Sequence, residues 1–229
     1  TKSPGHAPAI SIQLCVTNSE GAVERLELVQ RFGGLAGGFA GLGVGQVFSV
    51  QVPDALVQRI HDGIRKTKPW VRFGVSPFGI GRPEFRPPGI QGFSQYHKLY
   101  ADVERWLQEG WMDYLVPQLY WRMDQTAQAF VPLLDYWHAQ NPRKRNIYAG
   151  LFTSKLPAPG VETKNAWPLE EITNQIAAVR SRAPGSGHVH FSMVALVQNR
   201  LGLAETLKAQ TYAGPTLVPA SPWLEDGSP

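Results

Sequence analysis

The chain has 229 residues, 43% of them hydrophobic and 17% charged, with a net charge of +4, enough apolar material for one globular domain with its own core. The positive balance is scattered, its one tight cluster (Arg143-Lys144-Arg145) falls in a connector after a helical pattern, and no nucleic-acid-binding motif accompanies it, so no nucleic-acid partner is expected. Cys15 is the only cysteine, which excludes a disulfide framework and a cysteine-based zinc site, and no apolar run is long enough to span a membrane.

Residues 1–51 differ from the rest. Residues 11–16 (SIQLCV) read as one short strand, and Glu20, Glu24 and Glu27 fall in a helix-like run. Arg31 to Gln46 is rich in glycine without clear periodicity. Gly41, Gly43 and Gly45 lack the spacing of a phosphate loop, and no clear strand precedes them, so a poorly specified segment is the better reading. No signal peptide is visible, and the chain begins at Thr1.

From residue 52 the pattern is orderly. Pro53 to Lys66 carries an apolar helical stripe, with Pro53 suited to the first turn. Trp70 to Val75 reads as a strand, Gly81 to Gly92 as a long Pro/Gly loop, and Tyr96 to Gln108 as a helix stopped by Gly110. Tyr114 to Leu119 reads as a strand, Ala127 to Gln140 as a helix, Asn146 to Leu151 as a strand and Leu169 to Arg182 as a helix. His188 to Leu196 reads as a strand, Leu203 to Gln210 as a short helix, and the segment from Pro215 as a tail on the surface. Strand and helix alternate, which argues for a parallel sheet with right-handed crossovers. Long polar and aromatic loops leave the strand ends, the habit of a (β/α) barrel with its site on the carboxyl face.

The strand Tyr114 to Leu119 is an apolar run bounded by breakers, as in a sheet covered on both faces. Gln118, Tyr120 and Trp121 stand where it leaves the sheet, the end at which parallel α/β folds bind ligands. An amide beside aromatic rings suits a sugar better than a phosphate or a metal. The alternative is a core strand with an aromatic plug.

Three segments resemble a known family: Lys68-Pro69-Trp70-Val71-Arg72-Phe73-Gly74-Val75-Ser76-Pro77-Phe78-Gly79; Leu99-Tyr100-Ala101-Asp102 with Trp106 and Glu109-Gly110-Trp111-Met112-Asp113-Tyr114-Leu115-Val116-Pro117-Gln118-Leu119-Tyr120-Trp121; and Phe191-Ser192 with Ala195-Leu196 and Leu217-Val218-Pro219-Ala220. In this order they are similar to the bacterial glycosyl hydrolase-like family ten, formerly a domain of unknown function. The resemblance runs over residues 52–224, with 225–229 as a tail. It implies a (β/α)8 TIM-type barrel acting on polysaccharide by hydrolysis of O-glycosyl bonds, with cell-envelope glycan such as peptidoglycan strands as substrate. It also implies export or attachment to the envelope.

Members of that family carry an earlier half-barrel whose last strand bears paired aspartates. Residues 1–51 contain no Asp, and a whole barrel needs roughly 250 residues. The expected fold is therefore α/β, a partial barrel holding strands five to eight with their helices. A truncated gene or a frame error before about residue 52 would account for the odd first segment. The unpaired edges of such a fragment invite self-association unless residues 1–51 cover one of them.

Glycoside hydrolysis generally needs two carboxyls flanking the bond. Asp124, just past Trp121, is the best-placed acid; Glu84 and Glu162 lie in neighbouring loops, and Asp113 belongs at the opposite, stability end of its strand. Ser76 and Phe78 end the preceding strand, and Arg82 beyond them could reach an anionic or hydroxyl group. Tyr120 and Trp121 could stack on a sugar face, while Gln118, whose amide does not titrate, suits contact over proton transfer. His190 and Ser192 are expected to share one strand face, although a satisfied core histidine is the plainer role for His190. His188 and His190 show no third metal ligand, so no metal or cofactor is expected. The functions this leaves are a glycoside hydrolase or a piece of one, a non-catalytic carbohydrate-binding module that kept the rings and lost the acids, and an inert fragment.

Overall fold

The computed structural model describes residues 12–17, 23–28, 45–161, 163–183, 186–214 and 219–224, with backbone alone for 12–17, 23–28 and 45–53. A hairpin of β1 (Ile12–Thr17) and β2 (Val23–Leu28) comes first, then α1 (Gly45–Thr67) and β3 (Arg72–Ser76). Two short helices follow, α2 (Gln95–Leu99) and α3 (Val103–Glu109), then β4 (Tyr114–Leu115), α4 (Phe130–Ala139), β5 (Asn146–Ile147) and β6 (Ala149–Leu151). The chain continues through α5 (Leu169–Arg182), β7 (His188–His190), α6 (Met193–Val197) and α7 (Leu203–Thr206), which runs on into a π turn at Leu207–Thr211.

The fold is α/β with parallel pairing. β3, β4 and β5 are parallel neighbours, as are β6 and β7. Single bridges Phe78↔Gln118 and Gln118↔Gly150 carry the pairing past the regular strands. The run from Asn146 to Leu151 pairs first with β4 and then with β7, so it joins the two sheets. Val116 and Gln118 N–H donate to the Val75 and Pro77 carbonyls at 2.8 and 3.0 Å, so the pairing with the β3 segment runs on past Leu115; Pro117, which has no N–H, faces the other neighbour, where its carbonyl accepts from Gly150 N–H at 2.9 Å.

Several expected boundaries move. The strand expected at 11–16 is β1, but the run holding Glu24 and Glu27 is β2, not helix: antiparallel pairing with β1 along all six residues overrides a weak local preference. β1 also pairs antiparallel with β3, so the sheet crosses from the first 51 residues into the next segment. Glu20, Gly41, Gly43, Glu162 and Pro215 lie outside the described residues. Gly45 opens α1, which starts eight residues before Pro53 and leaves that proline in the helix interior. The helix expected from Tyr96 to Gln108 is two helices. Tyr100 takes the left-handed conformation (φ 55°) and Asp102 caps α3 by accepting from Arg105 N–H at 3.3 Å, a local bond that competes with helix continuation. Gly110 (φ 76°) ends α3 as expected. The strand expected to reach Leu196 stops at His190: Phe191 still donates to the Leu151 carbonyl at 2.8 Å and accepts from Ser154 N–H at 2.9 Å, but the neighbouring chain has turned into a tight helical turn at Thr153–Lys155 and this chain turns into α6.

Register divides the strands into two faces. Phe73, Val75, Leu115, Ile147, Ala149 and Leu151 are buried and pack with helix residues such as Trp106, Leu133, Trp137, Ile172 and Val179 in one core. The alternate residues Gly74, Ser76, Phe78, Tyr114, Gln118, Gly150 and Val189 share the other face through their pairing. A Cβ on Gly74 would stand 2.3 Å from the Tyr114 ring, so that face accepts no side chain there. Val189 is 43% exposed, and α6, the next element in the chain, leaves Met193, Val194 and Val197 exposed.

The amino ends of the strands are locked by Asp113, 1% exposed, as the sequence places it. Its carboxylate accepts from Arg65 of α1 at 2.7 Å, from Phe73 N–H at 2.6 Å and from the indole N–H of Trp223 at 2.8 Å. Arg72 and Asn146 donate to the carbonyls of Pro219 and Ala220, so this part of the tail is pinned under the sheet. Arg145 caps the Gly110 carbonyl and lies 4.5 Å over the Trp223 ring, which leaves its cluster a structural connector.

Candidate functional site

Ser76 ends β3 with its hydroxyl donating to the Val116 carbonyl at 2.9 Å, and Gln118 Nε2 donates to the Ser76 carbonyl at 3.1 Å. Both side chains therefore tie adjacent strand ends together. Gln118 keeps its amide oxygen and one N–H uncommitted among the described residues. Gln95, 1% exposed, grips the backbone of Phe78 on both sides: Phe78 N–H donates to Oε1 at 3.0 Å and Nε2 donates to the Phe78 carbonyl at 3.1 Å. Gly79 is needed next, since a Cβ there would stand 2.2 Å from the Gln118 carbonyl oxygen.

Aromatic rings gather above this row. The Phe78 ring meets Trp121 edge-on at 5.4 Å and Phe93 at 5.2 Å. Tyr120 lies 4.9 Å from Phe152 and stacks on Phe191 at 5.3 Å with 26° between planes. Gln118, Gly150 and Val189 are paired, so Tyr120, Phe152 and Phe191, two residues further along each strand, share one face by alternation. Phe191 is 45% exposed and presents ring surface to solvent. Burial pushes the Tyr120 phenol up to about 12, so it stays neutral and can donate. Phe152 and Phe191 were absent from the sequence-based site; the register that aligns them with Tyr120 was the missing signal.

Charged residues at the strand exits are mostly paired. Arg82 lies 3.8 Å over the Tyr96 ring and within 3.4 Å of Asp102 and 3.6 Å of Glu84. Its reach toward a ligand is thus taken up within the chain. Glu84 is exposed, and its carboxyl is lowered chiefly by a backbone hydrogen bond, with Arg82 adding to the effect. Asp124 is exposed and receives two bonds from Arg122, both 2.9 Å. Arg122 stands between Asp124 and Glu171 Oε2, 4.0 Å away. Glu171, 8% exposed, accepts from Met123 N–H at 2.9 Å, while Gln175 donates to the Trp121 carbonyl at 3.0 Å. One turn of α5 thereby fixes the loop that carries Trp121 and Asp124. The sequence pattern gave Glu171 and Gln175 no role, because each looks like an ordinary polar helix position.

His190 and Ser192 do not share a face. His190 pairs in register with Leu151, a core residue, and so turns toward the helix layer. Its ring sits 5.0 Å from His188, and both its nitrogens are buried without hydrogen-bond partners among the described residues. His188 Nε2 is 2.9 Å from the Tyr212 hydroxyl. Burial lowers both histidines to about 4, which keeps them neutral near pH 7. Ser192 lies past the strand, immediately before α6, with its hydroxyl 3.3 Å from that of Ser154. Among the described residues no group of three His, Cys, Asp or Glu side chains could hold a metal ion, and no helix is long and apolar enough to cross a membrane.

The carboxyl ends of the parallel strands thus carry a half-free amide and two ring clusters on successive rungs, and Asp124 lies in the loop that follows Trp121. The chain is 36% identical over 183 residues to glycosyl hydrolase YngK of Bacillus subtilis (strain 168), covering 76% of this chain and 35% of that protein. It is 32% identical over 108 residues to glycosyl hydrolase DigH of Escherichia coli (strain K12), covering 45% of this chain and 25% of that protein. The chain therefore spans about a third of the length of the first relative and a quarter of the second. Residues 50–168, which include β3, β4, β6 and both ring clusters but for Phe191, match the family described as glycosyl hydrolase-like 10. The chain belongs to the glycosyl hydrolase-like 10 family.

Proposed function

We propose that this chain holds a polysaccharide across the carboxyl ends of β3, β4 and β6, as the strand five-to-eight part of a glycoside hydrolase-like (β/α)8 barrel. The glycan is a cell-envelope polysaccharide, peptidoglycan strands being the leading case. The observation that supports this reading is a pair of successive rungs on one face, Phe78 with Gln118 and, two residues further along, Tyr120 with Phe152 and Phe191, in which rings offer stacking faces and the amide offers paired hydrogen bonds. Asp124, in the loop that follows Trp121, is the candidate proton-transfer group. Fragment status would leave the β7 edge open, and the exposed Val189 of that strand, with Met193, Val194 and Val197 of the helix that follows it, favours self-association.

One observation favours a second reading, carbohydrate binding without turnover. Asp124 and Glu84, the candidate acids of these loops among the described residues, both sit in ion pairs with arginines of the same loops, whereas hydrolysis needs two carboxyls free to face the bond. Incubation with insoluble polysaccharides separates the readings. The hydrolase predicts reducing ends that disappear in D124N; the binding module predicts retention on the solid without release. Replacing Tyr120 and Phe191 by Ala is expected to abolish retention in either case. Retention unchanged in that double variant would refute the stacking row.

A further inference from the structure

The loop after β6 makes a cleft that the stacking row does not use. It has a volume of about 310 Å³ and is lined by Ser154, Lys155, Thr163, Asn165 and Arg200 among others. That size falls within the range of small-ligand sites, roughly 300–1,000 Å³. The loop folds back on itself, with Trp167 N–H donating to the Lys155 carbonyl at 3.0 Å. Arg200 clamps it from the far side: Nη1 donates to the carbonyls of Ser154 at 3.2 Å and Leu156 at 3.0 Å, and Nε donates to Gln198 Oε1 at 2.8 Å. Nη2 has no partner among the described residues. The Lys155 ammonium lies 5.6 Å over the Phe152 ring, the ring that also touches Tyr120 and Phe191. The cleft therefore begins where the aromatic row ends.

Its charge is unlike that of the other strand-exit loops. Arg82 and Arg122 each have acids beside them. Neither Lys155 nor Arg200 has a carboxylate within ion-pair distance among the described residues. Two cations, held by the loop backbone and by a ring and flanked by the neutral donors of Thr163 and Asn165, suit a ligand anion. Charge-assisted hydrogen bonds are among the stronger ones available to such a group.

We infer that this cleft is a subsite for a carboxylate carried by the bound sugar, so that the glycan this chain prefers is an acidic one. The inference rests on the stacking reading: a pyranose on Tyr120, Phe152 and Phe191 directs its substituent past Phe152 to Lys155 and Arg200.

The test compares binding of the full chain to neutral oligosaccharides and to the same backbones oxidised to 6-carboxylates, measured side by side by titration calorimetry. Carboxylated forms are expected to bind at least roughly tenfold more tightly, the lower end of what a hydrogen bond to a charged group contributes. In K155Q that preference falls to less than threefold while affinity for the neutral backbone and the melting temperature stay unchanged. Lys155 is the residue replaced because Arg200 also holds the loop. Equal affinity for the two sets, unmoved in K155Q, overturns the subsite and leaves the stacking row standing. Binding of neither set removes the stacking row and the subsite together. Glu162, between Val161 and Thr163, lies outside the described residues. In E162Q affinity for the carboxylated form is expected to stay within twofold. A tenfold gain there would show that the chain already supplies its own acid to these cations, and would overturn the proposal.

Discussion

Replacing Asp113 by Asn keeps the side-chain volume and removes the charge at a position only 1% exposed. The native carboxylate accepts from Arg65, the Phe73 N–H and the Trp223 indole. An amide has one oxygen for these donors and presents its own N–H₂ to the rest. At least one donor loses its acceptor, and Arg65, 23% exposed, is left partly desolvated without a counter-charge. Breaking one partner of a buried pair costs about 3–5 kcal/mol. For a chain of this size each kcal/mol lowers the melting temperature by roughly 2–4 °C, which gives a fall of about 6–20 °C. Denaturant unfolding followed by circular dichroism measures the free energy, and a thermal scan gives the shift. Glycan retention, measured well below the melting point, is expected to be unchanged, since Asp113 lies at the opposite end of the strands from the stacking row. A loss of stability under about 1 kcal/mol would refute the claim that this carboxylate fastens α1, β3 and the tail together.

Gln95→Ala leaves the N–H and carbonyl of Phe78 without partners in a place water reaches poorly. At about 1–3 kcal/mol for each unsatisfied group, the expected loss is about 2–6 kcal/mol in denaturant unfolding, together with weaker glycan retention in the binding assay as the β3 exit loosens. His188 and His190 are neutral in the fold, lowered to about 4 by burial, while in the unfolded chain they take a proton near 6.5. Their contribution is fully present above about pH 6.5 and is lost as pH falls toward 4. At pH 5 each costs about 2 kcal/mol on this basis. Asp54, whose carboxyl burial raises, works in the other direction and blunts the fall without reversing it. Denaturant midpoints between pH 7 and pH 5 are expected to drop, and to drop about half as far in H190L; a flat profile would refute the depressed histidines.

The alternation of patterns made the parallel strands and their helices legible, and α5 falls where its apolar stripe places it. Asp113 begins its strand, which places it at the amino end, and its bond to Phe73 N–H at the start of β3 agrees. What the sequence hid depends on partners distant in the chain. Glu24 and Glu27 look helical until β1 supplies a ladder. His190 and Ser192 alternate as if on one strand, but the neighbouring strand ends at Leu151. The tie of Gln95 to Phe78 joins a helix to a strand exit across 17 residues. No local pattern announces it, because a buried glutamine and an exposed one read alike. Phe152 and Phe191 needed the register of β4, β6 and β7 before they could be seen as one row with Tyr120.

The antiparallel seating of β1 on β3 has a topological price. A complementary half delivered as a separate polypeptide, and offering a parallel strand to β3, meets an occupied berth. The hairpin must first peel away, register by register, so annealing of two such halves becomes a strand-exchange reaction whose rate is set by departure of β1. Deleting residues 1–44 would vacate that berth in advance.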